Sequence, residues 1–240
     1  MKTQVLMTAC KSYLNLASIA IGAWENCGMQ TTLYHMQDRD ELPYPGSVSV
    51  PLDQTKVHRQ QCWMYLLYAT SLFDDDQLCM IADADLIPMR CDFFYELEQF
   101  AIQHPNHLIC TEYGTSLQDL GRIRAHHVMG YAGVWKRFLQ GMTFDELYEQ
   151  ASEVGRDHNR FAIDEMWLTT TLVNRHLSFP LRVWCDQHDC VPFMTPSAYN
   201  WPFSFSVACL HMPRMGDEFY QTTTYDEVLK YVDERIDLGR

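Results

Sequence analysis

Apolar and polar positions switch between two periods along the first half of the chain. Gln4 to Ala9 is a short apolar run and reads as a buried strand. Leu14 to Cys27 keeps apolar residues at helical spacing (Leu14, Ile19, Ala20, Ala23, Trp24) and stops at Gly28. Thr31 to Met36 reads as a second strand. Polar Gln37-Asp38-Arg39-Asp40 follows, then a loop with Pro43, Pro45 and Gly46. Ser47 to Pro51 is a short strand, Lys56 to Leu72 a helix and Gln77 to Ala82 the clearest central strand. Cys91 to His104 is a helix, and His107 to Tyr113 a strand. Such alternation predicts an α/β sheet, in which ligands bind at the carboxyl ends of the strands.

The second half is less regular. Val128 to Val134 reads as a strand. Thr143-Phe-Asp-Glu146 fits a capping box that opens a helix. Gly155 to Asn159 is a loop, Ile163 to Arg175 a helix and Leu181 to Cys185 a strand. A loop rich in Pro and aromatics runs to Phe205, and Val207 to His211 is a last short strand. Thr224-Tyr-Asp-Glu227 is a second capping box, ahead of a C-terminal helix. No repeat, low-complexity stretch or composition break divides residues 1–240, so one domain is expected.

Composition narrows the classes. A chain of 240 residues, 47% hydrophobic and 20% charged, is a folded globule. Eighteen basic residues against 31 acidic ones, net −13, supply no basic surface for nucleic-acid phosphates. A modified-DNA acceptor stays open, because local patches do not show in net charge. The nine cysteines are odd in number and lack CxxC spacing. Several sit in apolar runs, as small buried hydrophobes do, so a reducing compartment is expected rather than a disulfide framework. The cluster Cys185, Asp186, His188, Cys190 matches no zinc spacing and reads as a strand end and loop. No run of about 18 apolar residues marks a membrane span. Met1 to Met7 reads as a strand rather than a signal peptide. The expectation is a soluble, cytoplasmic protein, in a cell or in the cytoplasm of a virus-infected host.

The segment richest in chemistry is Leu78-Cys-Met-Ile-Ala-Asp83-Ala-Asp85-Leu-Ile-Pro88. An apolar strand runs into two aspartates one residue apart. On an extended chain a period of two puts both carboxylates on one side. Two hard oxygen ligands suit Mg²⁺ or Mn²⁺ better than zinc. The pattern alone is weak, since Asp38-Arg-Asp40 and Asp74-Asp-Asp76 share it. Only Asp83 and Asp85 end an apolar strand.

This segment resembles the metal site of GT-A-fold, metal-dependent, nucleotide-sugar glycosyltransferases. The resemblance implies a single-domain GT-A (Rossmann-like) α/β fold, with a central mixed, mostly parallel sheet flanked by helices. Residues 1–113 would form the nucleotide-sugar-binding half, and residues 114–240 the acceptor-binding half and C-terminal helix. It implies an enzyme, a hexosyl- or pentosyltransferase. That enzyme moves a sugar from a nucleoside-diphosphate donor, a UDP-sugar first, to a hydroxyl on a glycan, small molecule or protein. Ala82, Asp83 and Ala84 would lie along the donor. Thr8 and Ala9 end the first strand, where such enzymes touch the nucleoside, and Asp38 follows the second, where an acid meets base or ribose. Lys56 and Arg59 fall where a basic side chain reaches the phosphates; their plainer reading is a solvated helix face.

Near the C-terminus stands Leu210-His211-Met-Pro-Arg214-Met-Gly216. In several such families a late His completes the metal shell beside a cation facing the phosphates. The resemblance therefore gives His211 to the metal with Asp83 and Asp85, and Arg214 and Gly216 to the donor. A His with two Asp favours Mn²⁺ over Mg²⁺. Arg214 stands where Lys is expected, and Pro213 intervenes. On the acceptor side, Gly130 and Gly133 offer either close backbone approach to a ligand or a turn. Asp164, then Glu165, is the candidate to face the acceptor hydroxyl, as base or as orienting group. Acids also belong in a first helical turn for dipole reasons. Aromatics from Trp184 to Phe203 suit sugar stacking or a packed loop. The alternatives are a nucleotidyltransferase, a phosphohydrolase and a non-catalytic carbohydrate-binding protein of the same fold. The first would need a Gly-rich loop where Ala9-Cys10-Lys11-Ser12-Tyr13 stands. The second places its Asp-x-Asp after its first strand.

Overall fold

β1 (Gln4–Ala9) and β4 (Leu78–Ile81) are buried along almost their whole length. A strand apolar on both faces needs a layer of helices on each side. The computed structural model describes residues 2–111, 127–156, 163–174, 181–183 and 209–212, with positions 227, 230 and 234. In it β1 pairs in parallel with β4 and with β2 (Gln30–Gln37), and β2 with β3 (Val48–Pro51). β6 (Leu108–Cys110) is parallel to β8 (Leu181–Val183). Between them and β4 lies β7 (Val128–Tyr131), antiparallel to both neighbours. The seven-stranded order is β3-β2-β1-β4-β7-β6-β8. The sheet is thus mixed and mostly parallel, as expected.

Alternation along the central strands divides the core in two. Val5, Met7 and Met80 join α1 (Leu14–Asn26) and α3 (Cys91–Gln103) on one face. Leu6, Cys79 and Ile81 face α2 (His58–Ala69), α4 (Ala132–Leu139), α5 (Phe144–Arg156) and α6 (Ile163–Asn174). On the first side Trp24 is fully buried and meets Phe94 edge to face, ring centroids 4.5 Å apart. α1 stops because Gly28, at φ +80°, turns the chain so that the Met29 N–H reaches back to the Trp24 carbonyl at 3.2 Å. On the second side the Thr143–Glu146 capping box forms: Thr143 N–H donates to Glu146 Oε2 at 2.8 Å and Glu146 N–H to Thr143 Oγ1 at 3.3 Å.

Several expectations change. The strand expected over Val128 to Val134 ends at Tyr131. There the Ala132 N–H turns to the Gln77 carbonyl at 2.8 Å and the Gly133 N–H to the Asp75 carbonyl at 3.1 Å, which starts α4. α2 begins at His58 rather than Lys56. Gly130 and Gly133 are packing glycines. A Cβ on Gly130 would meet Leu108 Cδ2 at 2.8 Å and the His107 carbonyl at 3.2 Å; one on Gly133 would meet Asp75 atoms at 3.1–3.3 Å. The cysteines are not all free: Cys27 and Cys91 form a disulfide, Cα atoms 4.7 Å apart, because the end of α1 meets the start of α3. The 64-residue separation hid that pair from sequence spacing. No helix among the described residues is long and apolar enough to cross a membrane. The aromatics from Trp184 to Phe205, the Cys185–Cys190 cluster and the second capping box at Thr224 lie outside the described residues, Glu227 excepted.

Trp24→Ala is expected to cost about 3–5 kcal/mol, the range for emptying a packed aromatic site, read by urea denaturation; a loss below about 1 kcal/mol would contradict the packing described. Opening the Cys27–Cys91 bridge, which spans 64 residues, should cost up to about 4 kcal/mol by chain entropy. For a chain of this size that lowers the melting midpoint by on the order of 5–15 °C. Cys27→Ser/Cys91→Ser melting like wild type would show that the bridge does not close.

Candidate functional site

Parallel strands deliver their carboxyl ends to one edge of the sheet, and the candidate residues follow from that. β1 ends at Thr8 and Ala9, β2 runs on to Asp38, and β4 runs on to Asp83. Neighbouring strands lie about 4.8 Å apart, and the register staggers their ends: Ile81 of β4 is level with Leu6 of β1 and so with Thr32 of β2, five residues before Gln37. β7, being antiparallel, brings its first residues to the same edge: Val128 pairs with Ile81. His127, which the sequence pattern did not mark, stands just before Val128. It is fully buried, its ring 6.0 Å from Trp24 and 5.3 Å from Phe94.

Asp83 and Asp85 do not lie on an extended chain. The Leu86 N–H donates to the Asp83 carbonyl at 3.0 Å, which closes a turn directly after β4. The correction matters because a turn, rather than a pleat, sets the spacing of the two carboxylates. Asp85 is buried, 7% exposed, whereas Asp83 is half-buried. Beyond the turn, β5 (Leu86–Pro88) pairs antiparallel with β9 (Cys209–His211): Leu86 with His211, Ile87 with Leu210, Pro88 with Cys209. The Met212 N–H extends the ladder to the Asp85 carbonyl at 2.8 Å. Opposed residues in an antiparallel pair have Cα atoms about 5 Å apart. His211, 125 positions after Leu86, is thereby held beside the Asp83–Asp85 turn. Among the described residues no group of three or more His, Cys, Asp or Glu is arranged for a metal ion. The His211 side chain lies outside them, as do Arg214 and Gly216.

The chemistry near the turn is carboxylate chemistry. Burial pushes the Cys209 thiol well above its usual range, and the neighbouring Asp85 charge adds to the push. Burial likewise raises Cys62 to about 12, with Cys10 contributing. Neither is a thiolate at neutral pH, so neither acts as a nucleophile there.

The basic candidates are engaged in different ways. Lys56 lies before α2, its ammonium paired with Asp145 and 3.8 Å from Asp53. It also sits over the rings of Tyr148 (5.0 Å) and Phe144 (5.8 Å). The bond to Asp145 raises its pKa. The structure thus uses Lys56 to fasten α5 to the loop before α2. Arg59 is exposed, its guanidinium stacked 4.3 Å over Trp63. Asp38 is exposed; its Oδ1 accepts from Gln54 Nε2 at 3.0 Å and lies 3.4 Å from His58 Nε2. The Thr8 hydroxyl donates to the Cys62 carbonyl at 3.0 Å and ties β1 to α2. Ala82 and Ala84 are buried. On α6, Glu165 is 3% exposed and Asp164 half-buried, on the helix that packs against α5 and α2. The carboxyl edge of the sheet thus carries Thr8 and Ala9 at the end of β1, Asp83 and Asp85 after β4 with the backbone of His211 beside them, and Asp38 further along at the end of β2, while Lys56 pairs with Asp145 of α5.

No family model and no curated protein matches this chain. Solved structures do. The chain is similar to the galactosyltransferase LgtC in complex with donor and acceptor sugar analogues, at 10% identity and TM-score 0.55, over 98% of this chain and 95% of that one. An active-site mutant of LgtC matches at 10% identity and TM-score 0.54, over 96% and 95%. A glycosyltransferase involved in glycosylation of the major capsid of PBCV-1 matches at 11% identity and TM-score 0.52, over 99% and 100%. Identity this low carries architecture alone, and the architecture is clear: the chain has the mixed, mostly parallel α/β fold of GT-A glycosyltransferases.

Proposed function

We propose that the protein is a metal-dependent glycosyltransferase that moves a sugar from a nucleoside-diphosphate donor, a UDP-sugar first, to an acceptor hydroxyl. The observation that carries this reading is the β5–β9 pairing, which holds His211 across from Leu86, beside the Asp83–Asp85 turn. Two carboxylates from a turn and a histidine from a distant strand make a mixed oxygen and nitrogen donor set that fits Mn²⁺, or Mg²⁺ less well. A cation held by Asp83, Asp85 and His211 would supply positive charge to the diphosphate as it leaves. The residues fit that group: Asp85 is a nearly buried carboxylate, and such a charge is stable only among charges or hydrogen bonds that offset its desolvation.

The chain's own groups would do the rest. A nucleoside diphosphate would lie over the end of β1, between the ends of β2 and β4, which flank it. The nucleoside end then meets Asp38, Thr8 and Ala9. The diphosphate end runs along Ala82, Asp83 and Ala84. Arg59, already stacked on Trp63, is a preorganised cation for the phosphates. Arg214 would offset charge on the leaving diphosphate, with Gly216 a further donor contact. Asp164 is the first candidate to take or orient the acceptor hydroxyl proton and Glu165 the second. Glycan, small-molecule and protein acceptors are all open to an acidic chain; a nucleic acid is disfavoured. The reading keeps the expectation of a single domain.

Calorimetry against a panel of nucleotide-sugars, with Mn²⁺ and with chelator, tests this directly. One donor should bind in Mn²⁺, and chelator or Asp85→Ala should weaken it at least about 100-fold, as loss of a metal ligand demands. Binding of no donor in either condition would refute the reading. Once a donor is known, Asp164→Asn and Glu165→Gln are compared by turnover. The residue at the acceptor should lose about 100- to 10,000-fold in kcat with donor affinity unchanged. Full kcat in both variants would remove α6 from the reaction.

A further inference from the structure

His35 stands on β2, paired with Ala9 of β1, and is 1% exposed. Its ring serves two successive turns of the segment that follows. The Tyr44 N–H donates to Nδ1 at 3.2 Å, and Nε2 lies 3.6 Å from Glu41 Oε2. A backbone amide can only donate, so Nδ1 carries no proton. The neutral ring then holds its proton on Nε2, toward Glu41. The same Glu41 oxygen accepts the Asp38 N–H at 3.1 Å, while the Glu41 N–H closes the first turn on the Asp38 carbonyl at 3.1 Å. The second turn is closed by Ser47, whose N–H and hydroxyl both donate to the Tyr44 carbonyl, at 3.1 and 2.7 Å. Pro43 and Pro45 have no N–H, so Tyr44 is the one amide of that triplet the ring could engage. Leu42, between the two turns, is 87% exposed, whereas the Tyr44 ring is partly buried against the core on the α1 and α3 side.

We propose that His35 is a positioning residue: it clasps the 38–47 segment through Tyr44 and Glu41 and so fixes Asp38 at the donor end of the sheet. The inference rests on the donor reading above, and it adds a residue that never touches the donor. An exposed carboxylate at the root of a free loop would sample many positions. One buried imidazole, bonded to the Tyr44 N–H and facing the Glu41 carboxylate across 3.6 Å, restricts them before the ligand arrives, which lowers the ordering cost of binding.

The test pairs hydrogen exchange of the 38–47 segment with the affinity for UDP in Mn²⁺. Phenylalanine keeps the ring of His35 and removes both nitrogens; asparagine keeps an acceptor near Nδ1. His35→Phe should speed exchange across the segment about tenfold and weaken UDP about tenfold, each the loss of one buried hydrogen bond. His35→Asn should restore both to within about threefold. Glu41→Ala, a change outside the sheet, should move both in the same direction as His35→Phe, which separates the clasp from general unfolding. Unchanged exchange in His35→Phe overturns the clasp. Faster exchange with unchanged UDP affinity overturns the positioning role. If the wild type binds no nucleoside diphosphate, the donor reading fails and the role falls with it, while the exchange data still decide whether His35 holds the loop.

Discussion

The candidate site depends on a two-stranded pairing far from the centre of the sheet. β5 is three residues long, and it fixes a turn bearing two carboxylates against a segment from the far end of the chain. Closing so long a loop costs entropy, but that cost grows only with the logarithm of length. Against it stand Leu86, Ile87, Cys209, Leu210 and Met212, all buried in the core on the α1 and α3 side. Each such side chain contributes about 1.5–3 kcal/mol when fully buried. A pairing this short persists because its side chains are core, and the site inherits its rigidity from that core.

The same core explains why some of the fold was legible in the sequence and some was not. β1 and β4 were legible as continuous apolar runs covered on both faces and α1 and α3 by their helical spacing, while α2 buries polar Gln60 and Gln61 alongside Met64 and Leu67. The junction of β7 and α4 was not legible. Their boundary is set by two backbone hydrogen bonds from Ala132 and Gly133 to the turn before β4, and no local pattern encodes those partners. Asp83 and Asp85 were legible from context, as carboxylates ending an apolar strand. Their geometry was not, because an apolar pair following an Asp-x-Asp does not announce a turn. The register of His211 against Leu86 follows from tertiary pairing alone. His35 was hidden for a similar reason: a polar residue inside a strand shows its purpose only when the loop it holds is in place.

Residue types that invite a functional reading took structural work in three places. Gly130 and Gly133 make room for Leu108, the His107 carbonyl and Asp75. Lys56 lies between two aromatic rings beside Asp145 and joins α5 to the loop before α2. Cys27 and Cys91 are neither buried hydrophobes nor metal ligands but a covalent tie between α1 and α3. In each case the deciding fact is a neighbour distant in sequence.

Charge sets the last constraint on the proposed chemistry. A chain of net −13 repels a nucleoside diphosphate at long range. Beyond about 8–10 Å that repulsion is screened at physiological salt. Within that distance the donor meets two more carboxylates, Asp83 and Asp85. Two like charges 4 Å apart cost on the order of 4 kcal/mol near a protein surface, a repulsion that the proposed cation would offset. An acidic surface also concentrates divalent cations, which turns the unfavourable net charge into a means of loading the site. In the proposed reaction a divalent ion would therefore be a condition for donor binding, not an accessory to it.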